Sequence, residues 1–538
     1  MHRTHDGHRA ARVPRDLRAH DGHRGGEGRP ATRPEPRADS RQHGTGRPDP
    51  ALPPRGPGQR TPREHGASRP ASRTVVRTAA VLRTAAAFRP ASRPPRPPRP
   101  RRLAAGLAVA STAGLLGAAA VLALAPSAAA EPATPVAYPT GATATRYSGL
   151  AFDTCTAPPL TAIRAWSASP YRAVGVYFGG VNRTCAQPQL TPSWVASVSA
   201  LKWRLLPIYK GLQPPCGARP TDAKISLVPA AARSQGTAAA TDAIARAGAL
   251  GMRPGSAFYN DIEHYAQTDA PCRVAVLSYI SSWTKELHRR GYVSGVYMNL
   301  NLGAKQLSDV FTSTAYARPD ALWTARYDGV DSLRGWAGIP DSRWAVHQRA
   351  KQFRGTHSET YGGVTISIDT NRLDAPVATV AHPYTATSTT PLNARTGPST
   401  AYPVARAYAP GAALTVVCQT PGPKVGTTAV WDKLADGTYV SDRYVSTPSK
   451  TTYSAPLPRC VYPYQTTATL TERSGPGAAY AARGTSPNGA LAWVYCQRAG
   501  SRVGTTNVWS RLDTGRYVTD YYVANPSNTT YSKPVPRC

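Results

Sequence analysis

Residues 256–265 hold two side chains suited to acid-base chemistry. Small and aromatic residues typical of a buried strand lead into Asp261 and Glu263, which stand two positions apart. Because side chains alternate along a strand, both carboxylates point to the same face. Burial and mutual repulsion raise the pKa of at least one acid in such a pair, so one carboxyl can act as a general acid beside a charged one. A strand end with solvated or Arg-paired acids is the alternative interpretation.

The elements around this pair predict an α/β fold. Short apolar runs alternate with amphipathic stretches over residues 146–377, and eight of the runs are strand candidates: 149–154, 173–179, 204–210, 256–263, 293–300, 322–327, 344–348 and 364–369. Helix signals lie between several of them, at 191–201, 236–250 and 274–290. This alternation predicts a (β/α)₈ TIM-type barrel.

A barrel of this type places its active site where the strands end. The predicted strands one, four and eight end in acids, which gives the predicted catalytic set Glu263, Asp261, Asp153 and Asp369. Sugar rings stack on aromatic faces while polar groups bind their hydroxyls. The predicted substrate-binding residues are Tyr177, Tyr209, Tyr259, Tyr297, Trp323, Arg326, Asp328, His347 and Gln348. At least half of the aromatic rings are expected to be barrel core instead.

No metal or other cofactor is expected. His264 and His347 could join the acids as ligands, but their spacing matches no zinc pattern.

Several motifs also carry a family resemblance. They are GLAFDTC at 149–155, VYFGGVN at 176–182, YNDIEHY at 259–265, SGVY at 294–297, LWTARYDG at 322–329, HQ at 347–348 and ISIDTN at 366–371. In order and spacing, residues 147–376 resemble the secreted bacterial glycoside-hydrolase-like domain known as domain of unknown function 1906, which is similar to the family 25 glycoside hydrolases, a family of muramidases. The resemblance implies Glu263 as general acid and base, Asp261 as the orienting or stabilising carboxylate, and Asp153 and Asp369 as supporting acids. Asn260 departs from the pattern, which favours an aromatic residue there.

These observations predict a glycosidase that acts on cell-wall peptidoglycan or a related polysaccharide. Retention and inversion both remain open, because they depend on carboxyl separations of about 5–5.5 Å and 6.5–9.5 Å respectively. Two alternatives remain: a non-catalytic wall-glycan-binding protein that keeps the cleft, and a structural wall protein.

The amino-terminal region has a different composition. The formal net charge is +34, and residues 1–102 contain 24 Arg against 8 Asp or Glu with few large apolar residues, which predicts disorder. No aromatic residues interleave these arginines, so nucleic-acid binding is not expected. The apolar run 103–130 ends in Ala128-x-Ala130 and predicts a cleaved signal peptide, with an uncleaved anchor as the alternative. Membrane contact is expected only there, and translation is expected to start near residues 75–82. Residues 131–145 form a linker.

All eight cysteines follow the signal segment, which predicts disulfides, an oxidising compartment and a secreted, extracellular or wall-associated protein. The expected pairs are Cys418 with Cys460, Cys496 with Cys538, Cys155 with Cys185, and Cys216 with Cys272.

The carboxy-terminal part repeats with a period of 78 residues, over 384–460 (repeat 1) and 462–538 (repeat 2). Short alternating strands between Gly and Pro turns predict a small all-β barrel in each repeat. The motif LNARTGP at 392–398, with Trp431 and the YVSD segment at 439–442, resembles bacterial SH3 domains, which implies a module that targets the enzyme to the wall. Rigid spacers are the alternative. We expect a monomer.

Overall fold

The structure, a computed structural model, describes residues 142–217 and 219–538. The predicted disordered region 1–102, the signal peptide 103–130 and most of the linker 131–145 lie outside the described residues.

Eight strands close into a barrel in chain order. They are β1 (Thr145–Asp153), β2 (Ala173–Gly179), β3 (Arg204–Tyr209), β4 (Ala257–Asp261), β5 (Val293–Asn299), β6 (Ala321–Ala325), β7 (Arg349–Tyr361) and β8 (Val364–Val377). Strands β1 to β7 run parallel, whereas β8 is antiparallel to both β7 and β1. The closed eight-stranded α/β barrel is confirmed, but its last strand runs in the opposite direction to the other seven.

Five helices accompany the barrel strands: α1 (Leu160–Ala165), α2 (Pro192–Ala200), α3 (Pro229–Ala249), α4 (Ala270–Arg289) and α5 (Lys305–Asp309). The Thr191 and Asp269 side chains cap α2 and α4 by accepting backbone N–H groups of the first turn. Helix α3 begins seven residues before its predicted start at Gly236. That glycine lies inside the helix because α4 packs closely there; an added Cβ would lie 2.1 Å from the Tyr279 carbonyl oxygen.

The prediction for strands seven and eight is wrong in its bounds. Trp344 and His347, inside the predicted strand 344–348, have φ angles of 49° and 54°, which an extended strand does not allow. The strand starts instead at Arg349 and forms a hairpin with β8 through a turn at Gly362 and Gly363. In the described chain no helix lies between β6 and β7 or between β7 and β8, so the full (β/α)₈ alternation is also wrong.

Alternating side chains divide the barrel core into two layers. Inside the barrel lie residues such as Ala151, Leu206 and Tyr259, and between strands and helices lie their chain neighbours Phe152 and Phe258. The barrel interior is therefore filled by side chains below the acidic face.

Each carboxy-terminal repeat is a six-stranded antiparallel sheet. Repeat 1 contains β9 (His382–Thr385), β10 (Leu392–Arg395), β11 (Val404–Tyr408), β12 (Ala413–Val425), β13 (Thr428–Leu434) and β14 (Tyr439–Ser441). Repeat 2 contains β15 (Tyr462–Gln465), β16 (Leu470–Arg473), β17 (Ala482–Ser486), β18 (Leu491–Val503), β19 (Thr506–Leu512) and β20 (Tyr517–Thr519). The strand orders β11-β10-β14-β13-β12-β9 and β17-β16-β20-β19-β18-β15 are equivalent. The all-β prediction is confirmed, as half-barrel sheets rather than closed barrels.

Repeat 2 packs directly on the barrel. Leu491 and Trp493 of repeat 2, and Val461 just before it, belong to the same buried cluster as the barrel interior. Arg146 at the start of β1 donates to Asp513 of repeat 2 at 2.5 Å. Repeat 2 therefore covers the end of the barrel opposite the acidic residues.

Four disulfides join Cys155 to Cys185, Cys216 to Cys272, Cys418 to Cys460 and Cys496 to Cys538. This is the pairing predicted from the sequence.

Among residues 142–217 and 219–538, no helix has both the length and the apolar character needed to cross a bilayer.

Candidate active site

The four predicted catalytic acids come together at one face of the barrel. Asp153 and Asp261 are the last residues of β1 and β4, and Glu263 follows two positions later. Asp369 is not the end of its strand as predicted, because β8 continues to Val377. It still reaches this face, since the antiparallel register places it directly opposite Asp153.

Gln352 connects two of the acids to two tyrosines. Its Nε2 donates to Asp153 Oδ2 at 2.8 Å and to Asp369 Oδ2 at 3.2 Å. Its Oε1 accepts the hydroxyls of Tyr297 at 2.8 Å and Tyr327 at 3.0 Å. An amide offers two donor hydrogens and two acceptor lone pairs, so all four are in use and the orientation of the side chain is determined.

Asp153 is a buried carboxyl with a strongly perturbed titration. Burial and the nearby Asp369 raise its pKa to about 7, although hydrogen bonds from Asn371 and Gln352 act in the opposite direction. Burial also raises the pKa of Asp369. Because Asp153 is only 3% exposed, its environment favours the neutral form, so this carboxyl can hold a proton near neutral pH.

Lys210 bridges the other two acids. Its Nζ donates to Asp261 Oδ2 at 3.0 Å and also to Glu263 Oε1. Burial raises the pKa of Asp261 to about 6 and Glu263 adds to the rise, while Lys210 opposes it. The two carboxylates raise the pKa of Lys210 despite its burial, so the ammonium stays charged. Both Lys210 and Asp261 are buried, whereas the Glu263 side chain is 40% exposed and faces solvent.

Gln213 fixes the backbone at the tip of β4. Its Nε2 donates to the Asp261 carbonyl at 2.8 Å, and its Oε1 accepts the Glu263 N–H at 2.9 Å. The two acids are therefore held by backbone contacts as well as by Lys210.

A cleft of about 280 Å³ opens beside Glu263. Its walls include Tyr297, Arg326 and Tyr327, and Tyr327 is 63% exposed. Asp328 lies beside it and accepts from Lys351 at 2.7 Å, and its ion pair with Arg326 measures 3.0 Å. Burial raises the pKa of the half-buried Tyr177, and the four surrounding carboxylates, led by Asp261, raise it further. Tyr177 thus lies near all four acids.

Three of the predicted substrate-binding aromatic residues are buried in the core. Tyr209 faces the helix layer and donates to Asp242 at 2.9 Å. Tyr259 and Trp323 fill the barrel interior, where Tyr259 donates to the Pro376 carbonyl at 2.8 Å. The Trp323 ring packs edge-on against Tyr297, with the ring centroids 4.8 Å apart.

The structure also places His347 and Gln348 away from the acids. Because β7 begins after them, they lie at the opposite end of the barrel, where His347 pairs with Asp374 at 2.7 Å. Gln348 accepts the Leu491 N–H of repeat 2 at 3.2 Å. His264 and His347 are therefore not neighbours. Among the described residues, no group of three or more His, Cys, Asp or Glu side chains could hold a metal ion.

Sequence reasoning missed several polar residues at the site. Lys210 directly follows β3 and Gln352 is the fourth residue of β7, so strand bounds alone would have placed both at the acidic face. Gln352 was missed because the predicted seventh strand, 344–348, ended before it. Asn371, which donates to Asp153 Oδ2 at 2.7 Å, lies within the ISIDTN motif but was given no role.

Asn260, the departure noted in the sequence, is fully buried. Its Nδ2 faces the Tyr279 hydroxyl of α4 at 3.3 Å, so it points away from the cleft.

Residues 164–373, which make up most of the barrel, match the family model described as Rv2525c-like, glycoside hydrolase-like domain. The chain is similar to a family 25 glycosyl hydrolase from Bacillus anthracis, with 14% identity over 43% of this chain and 92% of that chain and a TM-score of 0.28. It is similar to the spore cortex lytic enzyme SleM of Clostridium perfringens, with 11% identity over 69% and 95% of the two chains and a TM-score of 0.30. For the autolysin LytC of Streptococcus pneumoniae in complex with a synthetic peptidoglycan ligand, the identity is 11%, the coverage 42% and 46%, and the TM-score 0.27. No curated protein sequence matches the chain.

Proposed function

We propose that the protein is a secreted glycoside hydrolase that acts on cell-wall peptidoglycan or a related polysaccharide by carboxylate acid-base catalysis. The observation that carries the proposal is the convergence of four carboxyls and one lysine beside an open cleft. The four disulfides suit an oxidising, extracellular location. Repeats 1 and 2 hold the enzyme on the wall in this proposal.

Glu263 is the residue proposed to act on the glycosidic oxygen, because it is the exposed member of the cluster and borders the cleft. Glycoside hydrolysis needs a proton for the leaving oxygen and a negative charge beside the oxocarbenium-like transition state. Asp261, deeper and paired with Lys210, supplies the stabilising or orienting charge. Asp153 and Asp369 support the cluster, and Asp153 can hold a proton near neutral pH. Tyr177, Tyr297 and Tyr327 offer rings for sugar stacking.

A non-catalytic glycan-binding protein is the second candidate. It is favoured by one observation: Lys210 donates to both Asp261 and Glu263, so both carboxyls are held as partners of one cation. In this reading the cleft binds a glycan and breaks no bond.

One experiment separates the two. Residues 131–538 are incubated with purified peptidoglycan, and released fragments are measured as reducing ends and identified by mass. We expect Glu263→Gln to lower release by roughly 100-fold or more, the range for loss of a general acid or base, with an unchanged melting temperature. Asp309→Asn, which removes an exposed carboxylate on α5, serves as the matched control. No release by the parent protein, with retained glycan binding, would establish the second candidate.

A further inference from the structure

The two repeats enclose a second cavity, and the residues that line it differ in type from the acidic cluster of the barrel. We call it the inter-repeat groove: residues 398–403 and 422–423 of repeat 1 face residues 530–538 of repeat 2 across about 730 Å³. This volume lies within the range of small-molecule sites, about 300–1,000 Å³.

Aromatic rings and cations line the groove together. The Tyr402 and Tyr531 rings are half-buried in its walls, while Lys533 and Arg537 are exposed. The Lys533 Nζ lies 5.8 Å from the Tyr402 ring centre, and the Arg537 guanidinium lies 4.1 Å from that of Tyr531. No Asp or Glu side chain is among the described lining residues. A ligand here meets flat rings and positive charge.

The 78-residue period provides an internal comparison. Tyr453 and Arg459 are the repeat 1 equivalents of Tyr531 and Arg537, and they are used to pack the repeats together. The Tyr453 hydroxyl lies 2.6 Å from that of Tyr495, and Arg459 sits 4.4 Å from the Tyr453 ring centre. In repeat 2 the same two side chains face the open groove instead.

The charge of the repeats points to an anionic ligand. Residues 384–538 contain 15 Lys and Arg against 6 Asp and Glu. All six acids are engaged within the protein, either buried or in ion pairs: Asp432, Asp442, Asp520, Asp436 with Arg406, Glu472 with Arg516, and Asp513 with Arg146. Lys533 also stands where repeat 1 has Ala455, so the groove gains a cation that the other repeat lacks.

We propose that the inter-repeat groove binds a saccharide that carries a carboxylate or a phosphate. The sugar ring stacks on Tyr402 or Tyr531 through its C–H groups, and the anion pairs with Lys533 and Arg537. This binding does not depend on hydrolysis by the barrel.

The test is calorimetric titration of residues 131–538 with three probes. They are a disaccharide with a muramic acid carboxylate, a glycerol-phosphate oligomer and neutral chitobiose. We expect at least one anionic probe to bind at least 10-fold more tightly than chitobiose, and the two anionic arms identify which charge the groove prefers. Binding should weaken with salt.

Variants locate the site. Lys533→Ala combined with Arg537→Ala should weaken binding of the preferred probe at least 10-fold, as should Tyr402→Ala, while Arg502→Ala, an exposed cation elsewhere on repeat 2, should not. The proposal is overturned if neither anionic probe binds, if chitobiose binds as tightly, or if the groove variants bind like the parent. It is also overturned if Tyr327→Ala in the barrel cleft, rather than the groove variants, removes the binding.

Discussion

Two buried carboxyl clusters in this molecule share one local arrangement and differ in their surroundings. In the barrel, Gln352 donates its two amide hydrogens to Asp153 and Asp369. In repeat 1, Gln419 donates in the same way to Asp432 at 2.8 Å and Asp442 at 3.0 Å. Burial and a like-charged neighbour raise the pKa of Asp432 as they do that of Asp153.

The two clusters differ in the groups that donate to the side-chain oxygen of each glutamine. The Gln352 oxygen accepts two tyrosine hydroxyls that border the cleft, whereas the Gln419 oxygen accepts the backbone N–H of Ser454 at 2.6 Å. Repeat 1 closes over its acid pair, and Asp432 and Asp442 are fully buried. A raised carboxyl pKa therefore marks burial, and a candidate site needs an open cleft and an exposed group such as Glu263 beside it.

Repeat 2 shows how such a pair can be avoided. Ser510 stands where repeat 1 has Asp432, and its hydroxyl donates to Asp520 at 2.6 Å. The equivalent contact in repeat 1 needs a proton on Asp432, because two carboxylates cannot hydrogen-bond to each other. The two repeats thus form a natural pair of variants.

The largest effect should come from Lys210→Met, which removes the cation that pairs directly with Asp261 and Glu263. We expect a loss of about 3 kcal/mol of unfolding free energy at pH 7, since it leaves buried Asp261 without its partner. In this variant the pKa of Asp261 rises further. A carboxyl whose pKa is raised in the folded protein lowers its stability once the pH exceeds the ordinary carboxyl pKa. The loss should therefore shrink towards pH 4 in denaturant titrations.

Lys305→Met, which breaks an exposed ion pair on α5, is the matched control and should change stability by less than about 0.5 kcal/mol. A pH-independent loss for Lys210→Met would contradict the assigned role.

Removing the glutamines should separate structure from function. Gln352→Leu and Gln419→Leu should each cost about 2 kcal/mol, because each removes a donor that two carboxyls share. If the proposed hydrolysis is correct, only Gln352→Leu should also change glycan release and its pH profile. Equal losses of release in both variants would show that the barrel cluster acts only through stability.

Ser510→Asp should create in repeat 2 the pair found in repeat 1. Two adjacent buried carboxyls raise each other's pKa, so stability falls as pH rises above the ordinary carboxyl value. We expect a loss of about 1–2 kcal/mol at pH 7 and little at pH 4. Hydrogen exchange of residues 491–512 in the intact chain measures it locally; an equal loss at both pH values would point to packing instead.

The smallest effect is expected from the reverse change, Asp432→Ser. It should stabilise repeat 1 by about 1 kcal/mol at pH 7, and the gain should vanish near pH 4, where Asp432 already carries a proton. Hydrogen exchange of residues 413–434 reports the change. A loss of stability at pH 7 would mean that the pair is tolerated without strain.

Much of the site could be predicted because it depends on local pattern. The alternation around Asp261 and Glu263 and the short apolar strand before Asp153 placed three acids correctly. Gln352 could not be found in the same way, because β7 is polar on both faces where it leaves the barrel. Its sequence therefore lacks the apolar pattern that predicts a strand. Tyr259 and Trp323 were assigned to the cleft because aromatic residues look alike in a sequence whether they bind sugar or fill a barrel.

The sequence by itself determined which residues share a strand face, where the repeat units recur and which cysteines pair within each repeat, because these follow from spacing along the chain. Only the tertiary structure decided that β8 runs antiparallel, that Lys210 joins two acids and that repeat 2 covers one end of the barrel. Each of these depends on contacts between residues distant in sequence, whose pairing is chosen by the packing of the whole fold rather than by any local period.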